Sequence, residues 1–289
     1  MPIERRAALQ FIPTVTTPLV DNVGKAVDTR AFSRYKFGDT AIARQYGRDL
    51  ARFAATHYPD VVLYAPRIAV LTSDYQQTPS SSTILTETFT EELNRIRSEH
   101  NGQNTPAKLV RVEKRYSDEE VIKEHYGVRR VRRKSYAYVD PRGVEGHAIL
   151  FVDDIRVTGA QEQRIKALLD PIQTTSIHYL YALMLEKEAA AENPSLEYFL
   201  MHAFVNSLQT LSTLAQSPDF VLNRRVCKYF LSQSNQGEIQ KFLSAQSDKF
   251  LRDIYLSSFA DELDQYPDYQ VAWTALEEEI RKREAKQSA

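Results

Sequence analysis

HAILFVDDIRVTGAQEQ, residues 147–163, sets an apolar run against two adjacent acids and then a Thr-Gly turn. Six residues, HAILFV, are short and apolar enough for a strand buried on both faces, as in a parallel sheet. AQEQRIKALLD (160–170) has the periodicity of a helix. In parallel α/β sheets, ligands bind beyond the carboxyl ends of strands, where loops turn into helices. Asp153 and Asp154 would be delivered to that edge. The free amides and positive dipole end of the next helix would point at the same place. Gly159 allows close approach of an anion, and Thr158 adds a hydroxyl donor. One segment can thus hold a phosphate on its N–H groups and sugar hydroxyls on its carboxylates. The plainer alternative is that the acids merely end a strand and cap a helix. The coincidence of strand, acids, turn and helix favours the sugar-phosphate reading. A receiver-type phosphoacceptor domain is set aside, because such a domain opens with its acidic strand and this one comes after some 145 residues of chain.

Outward from this stretch, the pattern alternates. DTAIARQYGRDLARFAATH (39–57) reads as an amphipathic helix with Asp39 as cap. VVLYA (61–65) and IAVLT (68–72) are short enough to be strands. TPSSSTILTETFTEELNRI (78–96) settles into helical periodicity, and KLVRV (108–112) is a further strand. SIHYLYALML (176–185) reads as a core strand, although its length also permits a helix. Strands alternating with helices predict a mostly parallel twisted sheet covered on both faces. After EKEAAAENP the character changes, with Asn193-Pro194 as a cap and first-turn pair. We place a boundary near residue 188, between an α/β domain (1–187) and an all-helical C-terminal region (188–289) of about five helices. The apolar stripes of that region are core-forming, packing on the α/β domain or, as a homo-oligomer, on a second subunit.

Composition narrows the function. The chain has 289 residues and a net charge of −1, so no bulk field directs it to nucleic acid or an anionic membrane. Cys227 is the only cysteine, which excludes a disulfide framework and a thiolate-rich zinc site and suits a reducing cytoplasm. The six histidines are scattered, with no pair at metal-ligand spacing. YFLMHAFVNSLQTLSTLAQSP (198–218) is the longest uncharged run, yet its polar interruptions read as a buried helix rather than a membrane span.

ILFVDDIRVTGAQ resembles the phosphoribosyl-pyrophosphate loop of type I phosphoribosyltransferases. More narrowly, SRYKFGDTAIARQYGRDLA (33–51), RVEKRYSDEE (111–120) and LNRRVCKYFL (222–231) look like the phosphoribosyltransferase-like proteins of bacterial stress and tellurite-resistance gene clusters. The resemblance implies a type I phosphoribosyltransferase-like α/β fold and a Mg²⁺-dependent transfer from phosphoribosyl pyrophosphate to a nucleobase or related nitrogen nucleophile. It implies ribose hydroxyls on Asp153 and Asp154 and the 5′-phosphate wrapped by Thr158, Gly159, Ala160 and Gln161. It also puts LTSDY (71–75) in the place of the pyrophosphate-binding loop, with Ser73, Asp74 and Tyr75 as contacts. The Mg²⁺ would sit mainly on substrate oxygens, with contact through Asp153 and Asp154 left open. Two departures stand out: Gln161 replaces the usual Thr or Ser, and Glu162 puts a negative charge in the first helical turn.

Further positive charge for pyrophosphate is expected from a mobile loop. Residues 111–134 contain nine Lys or Arg against five Asp or Glu, among them Lys114, Arg115, Arg129, Arg130, Arg132 and Arg133. Arg34 and Lys36 form a second basic pair. A rival reading keeps the pocket without turnover, in a sensor or effector of a stress or defence system. It would bind a nucleotide-like ligand and use VRRVRRK (128–134) for a nucleic-acid or protein partner. Nucleic acid is the less favoured partner.

Overall fold

The computed structural model describes residues 2–73, 77–100, 105–125 and 128–287, with only the backbone for 116–125 and 128–135. The chain opens with strand β1 (Ile3–Ile12), helices α1 (Thr29–Lys36) and α2 (Thr40–His57) and the single turn α3 (Pro59–Val62). Strand β2 (Ile68–Leu71) leads to α4 (Ser82–His100) and the short β3 (Lys108–Val110). A hairpin of β4 (Glu113–His125) and β5 (Val128–Tyr138) precedes β6 (Ala148–Arg156), α5 (Ala160–Leu169) and β7 (Ser176–Leu185). The chain then runs through helices α6 (Lys187–Glu192), α7 (Leu196–Met201), α8 (Leu208–Ala215), α9 (Arg224–Leu231), α10 (Gln236–Ala245), α11 (Asp248–Ala260) and α12 (Gln270–Gln287).

Five strands pair in the order β1-β7-β6-β2-β3, and every pairing is parallel. Strand β6 lies at the centre, buried on both faces, which is why its sequence is an unbroken apolar run. Leu150 and Val152 pack towards Leu50 of α2 and Leu85 and Phe89 of α4. Ile149 and Phe151 pack on the other face, with Ile165 and Leu169 of α5. The sheet is therefore sandwiched between helices, as the alternating pattern predicts. SIHYLYALML resolves as a strand.

Four elements differ from the sequence reading. VVLYA is not a strand: Pro59 begins a helical turn, where its missing N–H is no loss, and Val61 and Val62 are buried within it. IERRAALQFI is a strand that the reading did not assign. It pairs only with β7, so as an edge strand it can carry Glu4, Arg5 and Arg6 without an apolar pattern. Residues 113–125 and 128–138 pair as antiparallel strands where a loop is expected. In their register Glu113 stands opposite Tyr138 and His125 opposite Val128. LEYFLMHAFVNSL is split into α7 and α8, because Ser207 opens a capping box with Thr210. The run from residue 196 therefore contains six α-helices among the described residues rather than five.

The helical region has its own core, from Met201 to Leu276, with Phe37 of the α/β side inserted into it. Its first helix behaves otherwise. Leu196 and Leu200 of α7 pack in the core beneath α1 and α2. Asn193 does not cap α7; its amide donates back to the carbonyl of Ala189 at 3.1 Å, and Ser195 takes the cap position. Among the described residues, no helix is long and apolar enough to cross a membrane.

Candidate functional site

Strand β6 runs through both acids to Arg156, and its pleat sets where each acid points. Successive side chains of a strand point to opposite faces. Asp153 accordingly faces the loop after β2, where the Ser73 hydroxyl donates to it at 2.8 Å. Burial, reinforced by the charge of Asp154, pushes its carboxyl up to about 7. Asp154 faces α1 and α4. Its oxygens accept from Lys36 Nζ at 2.8 and 2.9 Å, from the Tyr35 hydroxyl at 3.1 Å and from the Ser81 hydroxyl at 3.2 Å.

Four donor contacts match the roughly four lone-pair sites of a carboxylate, so Asp154 is saturated inside the protein. Both acids are expected on ribose hydroxyls; for Asp154 this is corrected, since its oxygens are taken up in anchoring the strand end to α1, while Asp153 has the Ser73 hydroxyl as its side-chain donor. Lys36 is corrected with it. It is 4% exposed, spans Asp154 and Glu197 of α7 (3.2 Å), and does not face an anion site.

Helix α5 starts at Ala160, as the sequence predicts. Gly159 stands at the cap of α5 in the left-handed region, with φ of 76°, and Thr158 and Ala160 are exposed. The Thr158 hydroxyl accepts weakly from the Ala160 amide at 3.4 Å. Glu162 does not point into this turn. It is folded back under the helix, accepting from Arg6, from Arg156 at 2.9 Å and from the Tyr181 hydroxyl at 3.3 Å. Those two arginines hold its carboxyl below the usual range despite its burial. Its charge is neutralised where it lies. Gln161, at the position of the usual Thr or Ser, keeps its backbone in the first turn.

Gly159→Ala is expected to destabilise the fold by about 1–2 kcal/mol through the left-handed backbone alone. An added Cβ would also meet the Arg156 guanidinium at 3.1 Å and disturb its pair with Glu162. Denaturant melts measure the first effect, and calorimetry with ribose 5-phosphate measures the accompanying loss of binding. Wild-type values in both would contradict this role for the turn.

The remaining predicted residues divide. Arg34 pairs with Asp39 at 2.6 Å and lies over the Phe204 ring, 5.8 Å from its centroid, so it faces the helical region instead of a pyrophosphate. Asp39 caps α2 as expected, accepting from the Ile42 amide at 3.3 Å. Arg115 pairs with Glu113 at 2.9 Å over the ring of Tyr138. Lys114 lies at the start of the hairpin, near enough for its charge to act on Lys228 of α9. Asp74 and Tyr75 lie outside the described residues, as do the side chains of Arg129, Arg130, Arg132 and Arg133.

Two features escaped the sequence reading. Tyr35 and Ser81 complete the shell of Asp154; Tyr35 stands between two predicted positions, but nothing local signals a contact more than seventy residues away. The second is an apolar groove of about 700 Å³ beyond the carboxyl end of β1. It lies between the segment after β1 (Val15 to Leu19) and α7, with Leu196, Phe199 and Leu200 on its wall.

Among the described residues, no group of three or more His, Cys, Asp or Glu could hold a metal ion by itself. The donor set, one carboxylate and a hydroxyl at Asp153 and Ser73, fits a hard cation that keeps most of its oxygen ligands from substrate and water.

Residues 15–273 match the model of a family described as PRTase ComF-like. The chain belongs to the ComF-like phosphoribosyltransferase family. That match takes in every strand of the sheet except β1 and reaches into α12, so the ComF-like pattern includes the helical region. Solved phosphoribosyltransferases are similar at low identity. A hypoxanthine-guanine phosphoribosyltransferase from Bacillus anthracis is 10% identical over 53% of this chain and 73% of its own, with a TM-score of 0.31. Adenine phosphoribosyltransferase from Saccharomyces cerevisiae, complexed with adenine, is 16% identical over 50% and 72%, with a TM-score of 0.32. The Trypanosoma cruzi hypoxanthine phosphoribosyltransferase complexed with IMP is 15% identical over 53% and 66%, at 0.31. No curated protein matches.

Proposed function

We propose that this ComF-like protein transfers the phosphoribosyl group of phosphoribosyl pyrophosphate to a nucleobase or related nitrogen nucleophile, with Mg²⁺. The observation that supports it most is the placement of Asp153, half-buried near the carboxyl end of β6, on the strand that leads into the left-handed glycine opening α5. Asp153 accepts from the ribose hydroxyls. The first-turn amides of α5 and Thr158 hold the 5′-phosphate. The anomeric carbon is then presented at the carboxyl edge of the sheet.

In the transfer, the bond from that carbon to pyrophosphate breaks and a bond to nitrogen forms, while positive charge builds on the sugar ring. The protein's work is positioning and exclusion of water rather than covalent chemistry. Bound Mg²⁺ supplies charge to offset the departing pyrophosphate. Lys36 and Asp154 act from behind, holding β6, α1 and α7 in register. The apolar groove beyond β1 is our choice for the acceptor, since it combines apolar walls with a few polar groups.

The test mixes purified protein with phosphoribosyl pyrophosphate, Mg²⁺ and a panel of nitrogen bases, and reads pyrophosphate release. Release with at least one base is expected. No release with any base, together with no binding of ribose 5-phosphate, would end the proposal.

A further inference from the structure

Helix α9 begins with NRRVCK (223–228), and its two sides do different things. Val226, Cys227, Phe230 and Leu231 are buried in the helical core. The opening of the helix is fastened to the α/β side. Asn223 caps it, accepting from the Val226 amide at 3.1 Å, and donates to the Lys36 carbonyl at 3.1 Å. The Arg224 amide donates to the Pro79 carbonyl at 3.1 Å. The Arg224 guanidinium pairs with Asp261 at 3.2 Å, and Asp261 accepts from the amides of Gln77 and Thr78 at 3.1 and 3.3 Å.

These contacts lodge α9 between the C-terminus of α1 and the segment just beyond the β2 loop. Both strips also supply partners of Asp154, namely Lys36 and Ser81. Arg225 and Lys228 are one turn apart on α9, off its buried face. Both are half-buried, and among the described residues neither has a hydrogen-bond or ion-pair partner for its side chain. Charges in that state are unfavourable unless a counter-ion arrives. Their surroundings make it worse. Arg225 opposes the charge of Lys36. Burial, then Arg224, Arg225 and Lys114 of β4, push the Lys228 ammonium down to about 8, with only Asp261 acting the other way. Cations from α9, from the end of α1 and from the base of the hairpin thus act on one another where α9 meets the α/β side. The amides of the helix start are not the attraction, since those of Arg224 and Val226 are already engaged.

We propose that Arg225 and Lys228 form a diphosphate-binding wall, through which the helical region completes the donor site of the α/β domain. The assignment to the donor rests on the transferase reading, whereas the anion site itself does not. Two adjacent cations one helical turn apart suit a multiply charged anion such as pyrophosphate better than a single phosphate.

Calorimetry on the full chain with inorganic pyrophosphate, and separately with ribose 5-phosphate, tests this. Arg225→Gln with Lys228→Gln is expected to weaken pyrophosphate by about tenfold or more and to leave ribose 5-phosphate unchanged. The charge-retaining pair Arg225→Lys and Lys228→Arg should keep pyrophosphate binding. Lys228→Gln alone should leave the ligand-free protein at least as thermally stable as wild type, the opposite of a structural lysine. Undiminished pyrophosphate binding by the Gln pair, equal loss in the charge-retaining pair, or a wild type that binds no pyrophosphate would overturn the wall. A wild type that binds pyrophosphate through these cations but neither binds ribose 5-phosphate nor releases pyrophosphate with any base would support the wall and remove the transferase reading instead.

Discussion

Asp153→Asn is expected to abolish measurable ribose 5-phosphate binding while making the protein more stable at pH 8. Both effects stem from one carboxyl. Its proton affinity is raised from the ordinary 3.8 to about 7 by burial and by Asp154 next to it. Between those values the native state binds more protons than the unfolded chain, so stability falls as pH rises. The contribution is fully present below about 3.8 and is lost as pH passes through about 7. An asparagine has no such loss. The variant should therefore gain on the order of 1–2 kcal/mol over wild type at pH 8, after allowance for partial exposure and coupling. At pH 4 the two should be close.

Binding moves the other way. A charged acceptor contributes about 1.5–3 kcal/mol per hydrogen bond, so two ribose hydroxyls on one carboxylate predict a loss of about a hundredfold or more. For wild type, the same titration predicts tighter binding at pH 8 than at pH 6, because only the ionised form accepts on every lone pair. Melting curves and calorimetry at both pH values check the pair. Melting curves that decline with pH equally in both proteins would show that Asp153 is not the titrating group. Intact binding by the variant would take the ribose from it.

The centre of the fold was legible because its signals are local. An unbroken apolar run marks a strand buried on both faces, and β6 is one. The periodicity after Gly159 announces a helix from Ala160, and Asp39 announces a cap; both are found. What failed were statements about direction and distance. Asp153-Asp154 reads as one acidic unit in sequence, yet the two-residue period of a strand sends its members to opposite faces, with Ser73 on one side and Lys36 on the other. Lys36 looked like a free cation because its partners lie far along the chain, in Asp154 and Glu197. Glu162 looked like a hazard to a phosphate because Arg6, on an edge strand not recognised as one, is what turns it away. Arg225 and Lys228 lie in a stretch that resembled the family without suggesting a role. The packing of the start of α9 against Lys36 and Pro79 is what sets their place beside the α/β side.

Lys36→Met is expected to destabilise the protein by about 3–5 kcal/mol, the scale observed when one partner of a buried ion pair is removed and the other charge is stranded. The side chains of Lys36 and Asp154 are only 5% and 6% exposed, so little solvent would reach the abandoned carboxylate. Tyr35 and Ser81 would remain as its only donors. Desolvation is what makes the loss large, so neutralising the stranded charge should reverse most of it. Lys36→Met combined with Asp154→Asn is therefore expected to regain the greater part of the stability, with strong non-additivity between the two sites. Urea midpoints at constant slope measure all three proteins. A Lys36→Met protein that unfolds like wild type would mean that water reaches Asp154 after all. The single variant should also act on function without touching the ligand. Lys36 now holds down the proton affinity of Asp153, so its removal lets that carboxyl rise further. Ribose 5-phosphate binding by whatever fraction stays folded should then need a higher pH than in wild type. An unshifted pH dependence in a weakened protein would confine the Lys36–Asp154 pair to stability alone.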